Sequence, residues 1–264
     1  KWELDFAIVG ELTNSGRLKL THNGETVADM PIAPLSDSSP EYDRKWTPPP
    51  KAGKVDTSNF DNHDPKGSLL KILSSADISS KKWIWEQYDH MVMADTILRP
   101  GGDSAIVRIH GSNRGLAITT DCTPRYCDAD PFKGGVQCVA EVWRNLTSVG
   151  STPLAITDCL NFGSPEIPEI MGQFIECIKG MTEACNDLNF PVVSGNVSFY
   201  NQTDGVAIQP TPQIGGVGLI ENLDYIANIS FSSDDQSLFL IGKTNGHLGA
   251  SIFLREILGR EDGE

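Results

Sequence analysis

Between residues 104 and 220, short apolar runs alternate with longer stretches whose apolar positions recur every three or four residues. SAIVRIH (104–110), GLAITTD (115–121), PLAITD (153–158) and PVVSG (191–195) read as strands. GGVQCVAEVWRNLTSVG (134–150) repeats Val136, Val139, Ala140, Trp143 and Leu146 at helical steps. PEIMGQFIECIKGMTEACNDL (168–188) does the same with Ile170, Phe174, Ile178, Met181 and Leu188, and Pro168 suits a first helical turn. VAIQPTP and IGGVGLI follow, and the prolines of QPTPQ predict an edge strand or the approach to a loop. This alternation predicts an α/β body, about residues 67–222, with a sheet and flanking helices.

The flanks have a different texture. Leu18, Leu20 and Val27 surround Asn23-Gly24, a hairpin signal, and ELDFAIVGEL (3–12) reads as a strand already under way. Residues 1–46 are too few for an independent core and are expected to be the tail of a preceding domain. WTPPPKAGK and NFDNHDP make residues 47–66 a linker or extended loop. From residue 223 onward SLFLIGKTNGHLGASIFLREILGRE predicts a strand, a glycine-rich turn and a helix, the opening of another domain. The chain is therefore expected to be a piece of a larger protein.

One stretch does not read smoothly. In PVVSGNVSFYN a strand runs into Ser194, Gly195 and Asn196 and then resumes. It is a bulge or turn in an ordinary sheet, or a backbone kept bare so that a ligand can approach. Charge narrows the ligands: a formal net charge of −14 argues against a general nucleic-acid binder but permits phosphate held by backbone N–H groups and magnesium. No apolar run approaches a membrane span, and the first residues lack a signal-peptide layout. Six cysteines without a CxxC pair speak against zinc and for a reducing, cytoplasmic setting.

GLAITTD closes on Asp121 and LAITD on Asp158. Together with the SGN break they would gather oxygen ligands at one rim of a sheet, a chemistry that suits magnesium carrying nucleotide phosphates. Either aspartate also serves as an ordinary turn cap. LIGKTNG lacks the first glycine of a phosphate loop, so Lys243 and Thr244 read as a turn, and GGVGLI lacks the third glycine of a dinucleotide fingerprint. His90, beside Trp83 and Trp85, reads as a packed structural histidine or an acid–base group. No GxSxG elbow or cysteine–histidine pair for glutamine hydrolysis is present in the sequence.

Four longer runs carry a resemblance: WEQYDHMVMADTILRPGGDSAIVR, TTDCTPRYCDADPFKGG, VAEVWRNLTSVGSTPLAITDCLNFGSPEIPE and PVVSGNVSFYNQTDGVAIQPTPQIGGVG. Together they resemble the phosphoribosylformylglycinamidine synthases of purine biosynthesis, within the aminoimidazole-ribonucleotide-synthetase-like superfamily. The resemblance implies a tandem enzyme. Residues 1–46 would end the first unit, 67–222 would form the N-type domain of the second unit with a mixed sheet, and 223–264 would begin the final domain. It implies ATP and Mg2+ as cofactors, and formylglycinamide ribonucleotide and glutamine-derived ammonia as substrates. It further implies a glutaminase subunit and a small accessory subunit as partners. Carried onto this sequence, Asp158 and Gly195 resemble ATP contacts, Asn196 a magnesium ligand and Ser198 a substrate contact, while Asp121, Arg144 and Asn145 occupy positions functional in the first unit. The family's catalytic histidine lies in the first unit, so this stretch alone is expected to be inactive. The alternatives are a non-catalytic nucleotide-binding or assembly half, or a relative such as a selenophosphate synthetase or thiamine-phosphate kinase.

Overall fold

The computed structural model describes residues 4–58, 60, 63–243 and 246–263. They divide into two compact units, one ending at Asp43 and the other starting at Arg44. In the first, Arg17–His22 (β1) pairs antiparallel with Glu25–Pro31 (β2). Asn23 (φ 51°) and Gly24 (φ 83°) supply the left-handed backbone that a two-residue turn demands. A short helix, Ala33–Ser36 (α1), follows. The strand expected over residues 3–12 does not form among the described residues; Phe6, Ile8 and Val9 are exposed and no neighbouring strand completes a ladder.

The second unit holds a six-stranded sheet. Its strands are Thr96–Leu98 (β3), Ala105–Arg108 (β4), Gly115–Asp121 (β5), Thr152–Asn161 (β6), Val192–Ser198 (β7) and, after the two-residue strands Gln202–Thr203 (β8) and Val206–Ala207 (β9), Thr211–Ile220 (β10). Their spatial order is β3-β4-β5-β10-β6-β7, and only β6 and β7 run parallel. The helices Pro131–Ser148 (α5) and Pro168–Asp187 (α6) lie where the 3.6-residue pattern placed them. Val139, Val142 and Leu146 of α5 bury against Ile106, Ala117, Ile156 and Ile214 of the sheet. The other face of the sheet keeps Ile118, Leu154 and Val217 exposed.

α5 and α6 approach closely because glycine stands at the crossing. A Cβ on Gly180 would lie 2.0 Å from the Phe132 carbonyl oxygen, and one on Gly135 would lie 2.4 Å from that of Cys177. Around this crossing Cys127, Cys138 and Cys177 are fully buried free thiols, packed as small hydrophobes. Cys127 belongs to a short helix, Pro124–Ala129 (α4).

Several expectations need correction. The QPTPQ prolines do sit at a loop approach and a one-sided stretch as expected, although β10 beyond them is a central strand. At Pro212 it has passed the end of β5, whose pairing begins at Ile214, so the proline faces only one neighbour, β6. β6 does not end at Asp158 but runs on to Asn161. β7 does not break at Ser194–Asn196 but is continuous to Ser198, with Val193 bulged between the pairs Ile156–Val192 and Thr157–Ser194. Residues 238–241 are exposed without a strand partner, and among the described residues of that final segment a 3-10 turn, Leu223–Tyr225, and the helix Ile252–Leu258 (α7) form. Lys243 lies in irregular chain, and Thr244 falls outside the described residues.

Residues 44–54 form an extended strap across the second unit. Thr47 N–H donates to the Pro168 carbonyl and Ala52 N–H to that of Ala129. Lys179 Nζ stands 4.9 Å above the Trp46 ring. Beyond the strap come Pro65–Leu73 (α2), capped by Asp64, and Lys82–Trp85 (α3). His90 packs edge-on against Trp85 at 4.8 Å, the structural reading of that histidine.

Candidate nucleotide and magnesium site

The four residues singled out in the sequence meet on one strand pair. Asp158 of β6 is the register partner of Gly195 on β7, Cys159 of Asn196, and Asn161 of Ser198. The row extends further. Ile214 of β10 partners Asp158 on one side and Asp121 on the other, so Asp121, Ile214, Asp158 and Gly195 form one line across the sheet. Paired residues point to the same face, which here is the helical one. The two aspartates are thus two strand spacings apart, about 10 Å, with buried Ile214 between them.

This line explains the bare stretch in β7. A Cβ on Gly195 would lie 2.2 Å from Asp158 Oδ1 and 2.5 Å from its Cγ, so the carboxyl occupies the space a side chain would take. Asp158 also accepts the backbone N–H of Asn196, which favours its charged form, but burial dominates and raises its pKa above the ordinary carboxylate value. Beside it a cavity of about 360 Å³ opens toward α6, lined by Met181, Cys185, Asn186, Asn189 and Val192. The Cys185 thiol is pushed up by burial and then by the Asp158 charge.

Asn196 and Ser198 project to the opposite face. Thr157 and Ser194 mark that face, their hydroxyls 2.7 Å apart. Asn196 is exposed, and the Ser198 hydroxyl is engaged with the Asn201 amide at 3.2 Å. The structure therefore brings backbone and carboxyl together at Asp158–Gly195–Asn196, while the Asn196 amide looks away from Asp158. Near Asn196 the donors are hydroxyls and amides, with no group of three or more His, Cys, Asp or Glu among the described residues able to hold a metal. Such a set fits Mg2+ only as a partial shell, completed by phosphate oxygens and water.

At the other end of the row Asp121 faces α5, where sequence reading overlooked Glu141. Asn145 Nδ2 donates to Asp121 Oδ2 at 3.4 Å and Gln213 Nε2 to its carbonyl at 3.1 Å. Burial, then a hydrogen bond and charge repulsion from Glu141, raise the Asp121 pKa to about 7. The signal was present as Glu141-x-x-x-Asn145, a four-residue step that puts both on one helix face. Arg144, by contrast, is exposed. Because Asp121 holds its proton more tightly when folded, its contribution to stability is full below about pH 4 and lost as pH rises through about 7. Glu141→Gln is accordingly expected to raise the melting temperature at pH 8 relative to wild type and leave it nearly unchanged at pH 5. Paired melts with divalent cations chelated measure the difference.

Known proteins resemble this chain. Residues 101–220 match the family described as AIR synthase related protein, N-terminal domain. The phosphoribosylformylglycinamidine synthase subunit PurL of Rhodospirillum rubrum is 55% identical over the whole of this chain, which covers 36% of that relative. Over its whole length the chain is similar to one part of PurL. It spans about a third of the length of the curated relatives it matches, as the 36% coverage shows. Two solved Thermotoga maritima structures align with it. PurL complexed with ATP is 28% identical with a TM-score of 0.60, over 81% of this chain and 33% of that one. PurL complexed with FGAR is also 28% identical, with a TM-score of 0.59, over 80% of this chain and 32% of that one. The mixed sheet with flanking helices expected from the sequence is thus present, and the aligned PurL structure shares its fold.

Proposed function

We propose that this chain is the nucleotide- and magnesium-binding part of the second unit of a PurL-type ATP-dependent carbon–nitrogen ligase. The whole enzyme converts formylglycinamide ribonucleotide, ATP and glutamine-derived ammonia to formylglycinamidine ribonucleotide, ADP and phosphate. ATP phosphorylates the formamide oxygen, and ammonia then displaces phosphate from the resulting iminophosphate. Residues 1–46 end the preceding domain, 47–66 connect, 67–222 form the N-type domain and 223–264 begin the last one. A glutaminase and a small accessory subunit complete the assembly, in the cytoplasm. Named relatives with ATP and with FGAR support the substrates.

The observation that carries the reading is the Asp158–Gly195 register pair, a carboxyl against a bare backbone, with the Asn196 N–H donating to that carboxyl. In this role Asp158 and the backbone at Gly195 hold the nucleotide, the Asn196 amide oxygen joins phosphate oxygens around Mg2+, and Ser198 meets the substrate. Mg2+ neutralises phosphate charge; the chain's part is to fix position and keep water away.

Calorimetric titration with Mg-ADP tests this directly. Asn196→Ala is expected to weaken binding at least tenfold with circular dichroism unchanged; equal affinity in the two proteins overturns the assignment. In the full-length enzyme the same substitution separates a catalytic half from an assembly half. Lost turnover marks the former, and near-normal turnover the latter.

A further inference from the structure

We propose that Asn201 is a positioning residue that presents the Ser198 hydroxyl to the substrate as a hydrogen-bond donor. The role rests on the substrate contact assigned to Ser198 in the proposed function. Just past β7 the chain turns back at Tyr200, whose left-handed backbone (φ 62°) is one that a bulky residue adopts only under constraint. The constraint comes from both sides. Phe199 packs edge-on against Phe174 of α6, ring centres 5.1 Å apart. Tyr200 N–H donates to the Gly163 carbonyl at 3.0 Å, and the Tyr200 hydroxyl to Glu166 at 3.2 Å. Asn201 N–H donates to the Phe162 carbonyl at 3.1 Å, and this turn brings the Asn201 side chain against Ser198.

What the amide faces dictates its orientation. Asn201 Nδ2 donates to the Ser198 carbonyl at 2.8 Å and to the Phe162 carbonyl at 3.1 Å, two groups that only accept. The reverse orientation would set Oδ1 against both oxygens. Nitrogen is therefore the end that meets the Ser198 hydroxyl, at 3.2 Å, and Ser198 Oγ accepts from it. Asn201 Oδ1 lies 3.4 Å from Oγ, too far for an O–H···O bond, so the amide does not take up the serine proton. No other acceptor for that proton is in reach among the described residues. The hydroxyl is thus anchored through a lone pair while its own proton stays free. A serine held in this way donates in a fixed direction and suits an acceptor oxygen of the substrate. The backbone is locked with it, since the Ser198 carbonyl also accepts the Phe162 N–H at 3.0 Å.

Steady-state kinetics of the full-length enzyme, with formylglycinamide ribonucleotide and ATP varied in turn, compare Ser198→Ala, Asn201→Ala and the double variant. Ser198→Ala is expected to raise KM for formylglycinamide ribonucleotide at least tenfold and Asn201→Ala three- to tenfold. The double variant should be no worse than Ser198→Ala, because Asn201 acts only through the hydroxyl. KM for ATP and kcat should change less than twofold, the mark of lost substrate binding alone. If Asn201→Ala does not fold, Asn201→Ser, one atom shorter but still a donor, takes its place with the same expectation. An unchanged KM in Ser198→Ala removes the substrate contact and the role of Asn201 with it. If Ser198→Ala does raise KM, three results overturn the positioning role and leave the contact standing: a normal KM in Asn201→Ala, losses that add in the double variant, or a shift of all three constants together in Asn201→Ala.

Discussion

Gly180→Ala is expected to destabilise the second unit by about 3 kcal/mol, read as a fall of roughly 6–12 °C in Tm. The added methyl would stand 2.0 Å from the Phe132 carbonyl oxygen and 2.9 Å from its carbon. Both are backbone atoms of α5, which has no rotamer to yield; relief requires α5 and α6 to separate, and separation opens space beside Val139 and Cys177, both fully buried. Gly53→Ala is the control. A Cβ there meets nothing within 4 Å, so a change within about 0.5 kcal/mol is expected. Equal melting temperatures for Gly180→Ala and Gly53→Ala would refute the close-crossing account.

Gly195→Ala is expected to reduce Mg-ADP affinity at least tenfold at a much smaller cost in stability. Here the obstacle is the end of a side chain, Asp158, on an edge-strand pair, and a carboxyl can rotate away where a backbone carbonyl cannot. Rotation breaks its bond with the Asn196 N–H and moves the carboxyl that we propose holds the nucleotide. Asp158→Ala should be similarly impaired. The double substitution should cost far less than the sum of the two, since the methyl then enters space the carboxyl has left. Additive losses would mean that the two residues act independently and that Gly195 is small for another reason.

The helices were legible because their cause is local. In α5, Val136, Val139 and Leu146 state which face is buried without reference to anything else in the chain. The hairpin turn was equally local, since Asn23 and Gly24 carry the conformation themselves. Gly195 could not be understood from its neighbours, because the reason for its smallness sits 37 residues earlier on Asp158. Pro210 and Pro212 spoke truly of their own segment, a loop approach and a one-sided pairing, but a proline does not report whether the strand is central further along. The apolar run Leu238–Ile241 looks like a strand, but pairing depends on a partner that pattern does not supply. Of the site, the residue types were readable and their gathering was expected at three strand ends on one rim, whereas the shared strand pair and the opposed faces of Asp158 and Asn196 were not. A single bulge at Val193 sets that parity, and no composition rule locates it.

The position of β10 bears on how the protein emerges from the ribosome. The last strand of this sheet to be made lies between β5 and β6, so before residue 211 is synthesised the sheet is two halves with no ladder between them. A nascent chain that has reached Asn161 presents the inner edges of β5 and β6 unpaired, each a template for a stray strand. Slow codons between residues 162 and 210 would lengthen that exposure and lower the yield of soluble protein. The same codons placed after residue 220 would be harmless, because the sheet is by then able to close.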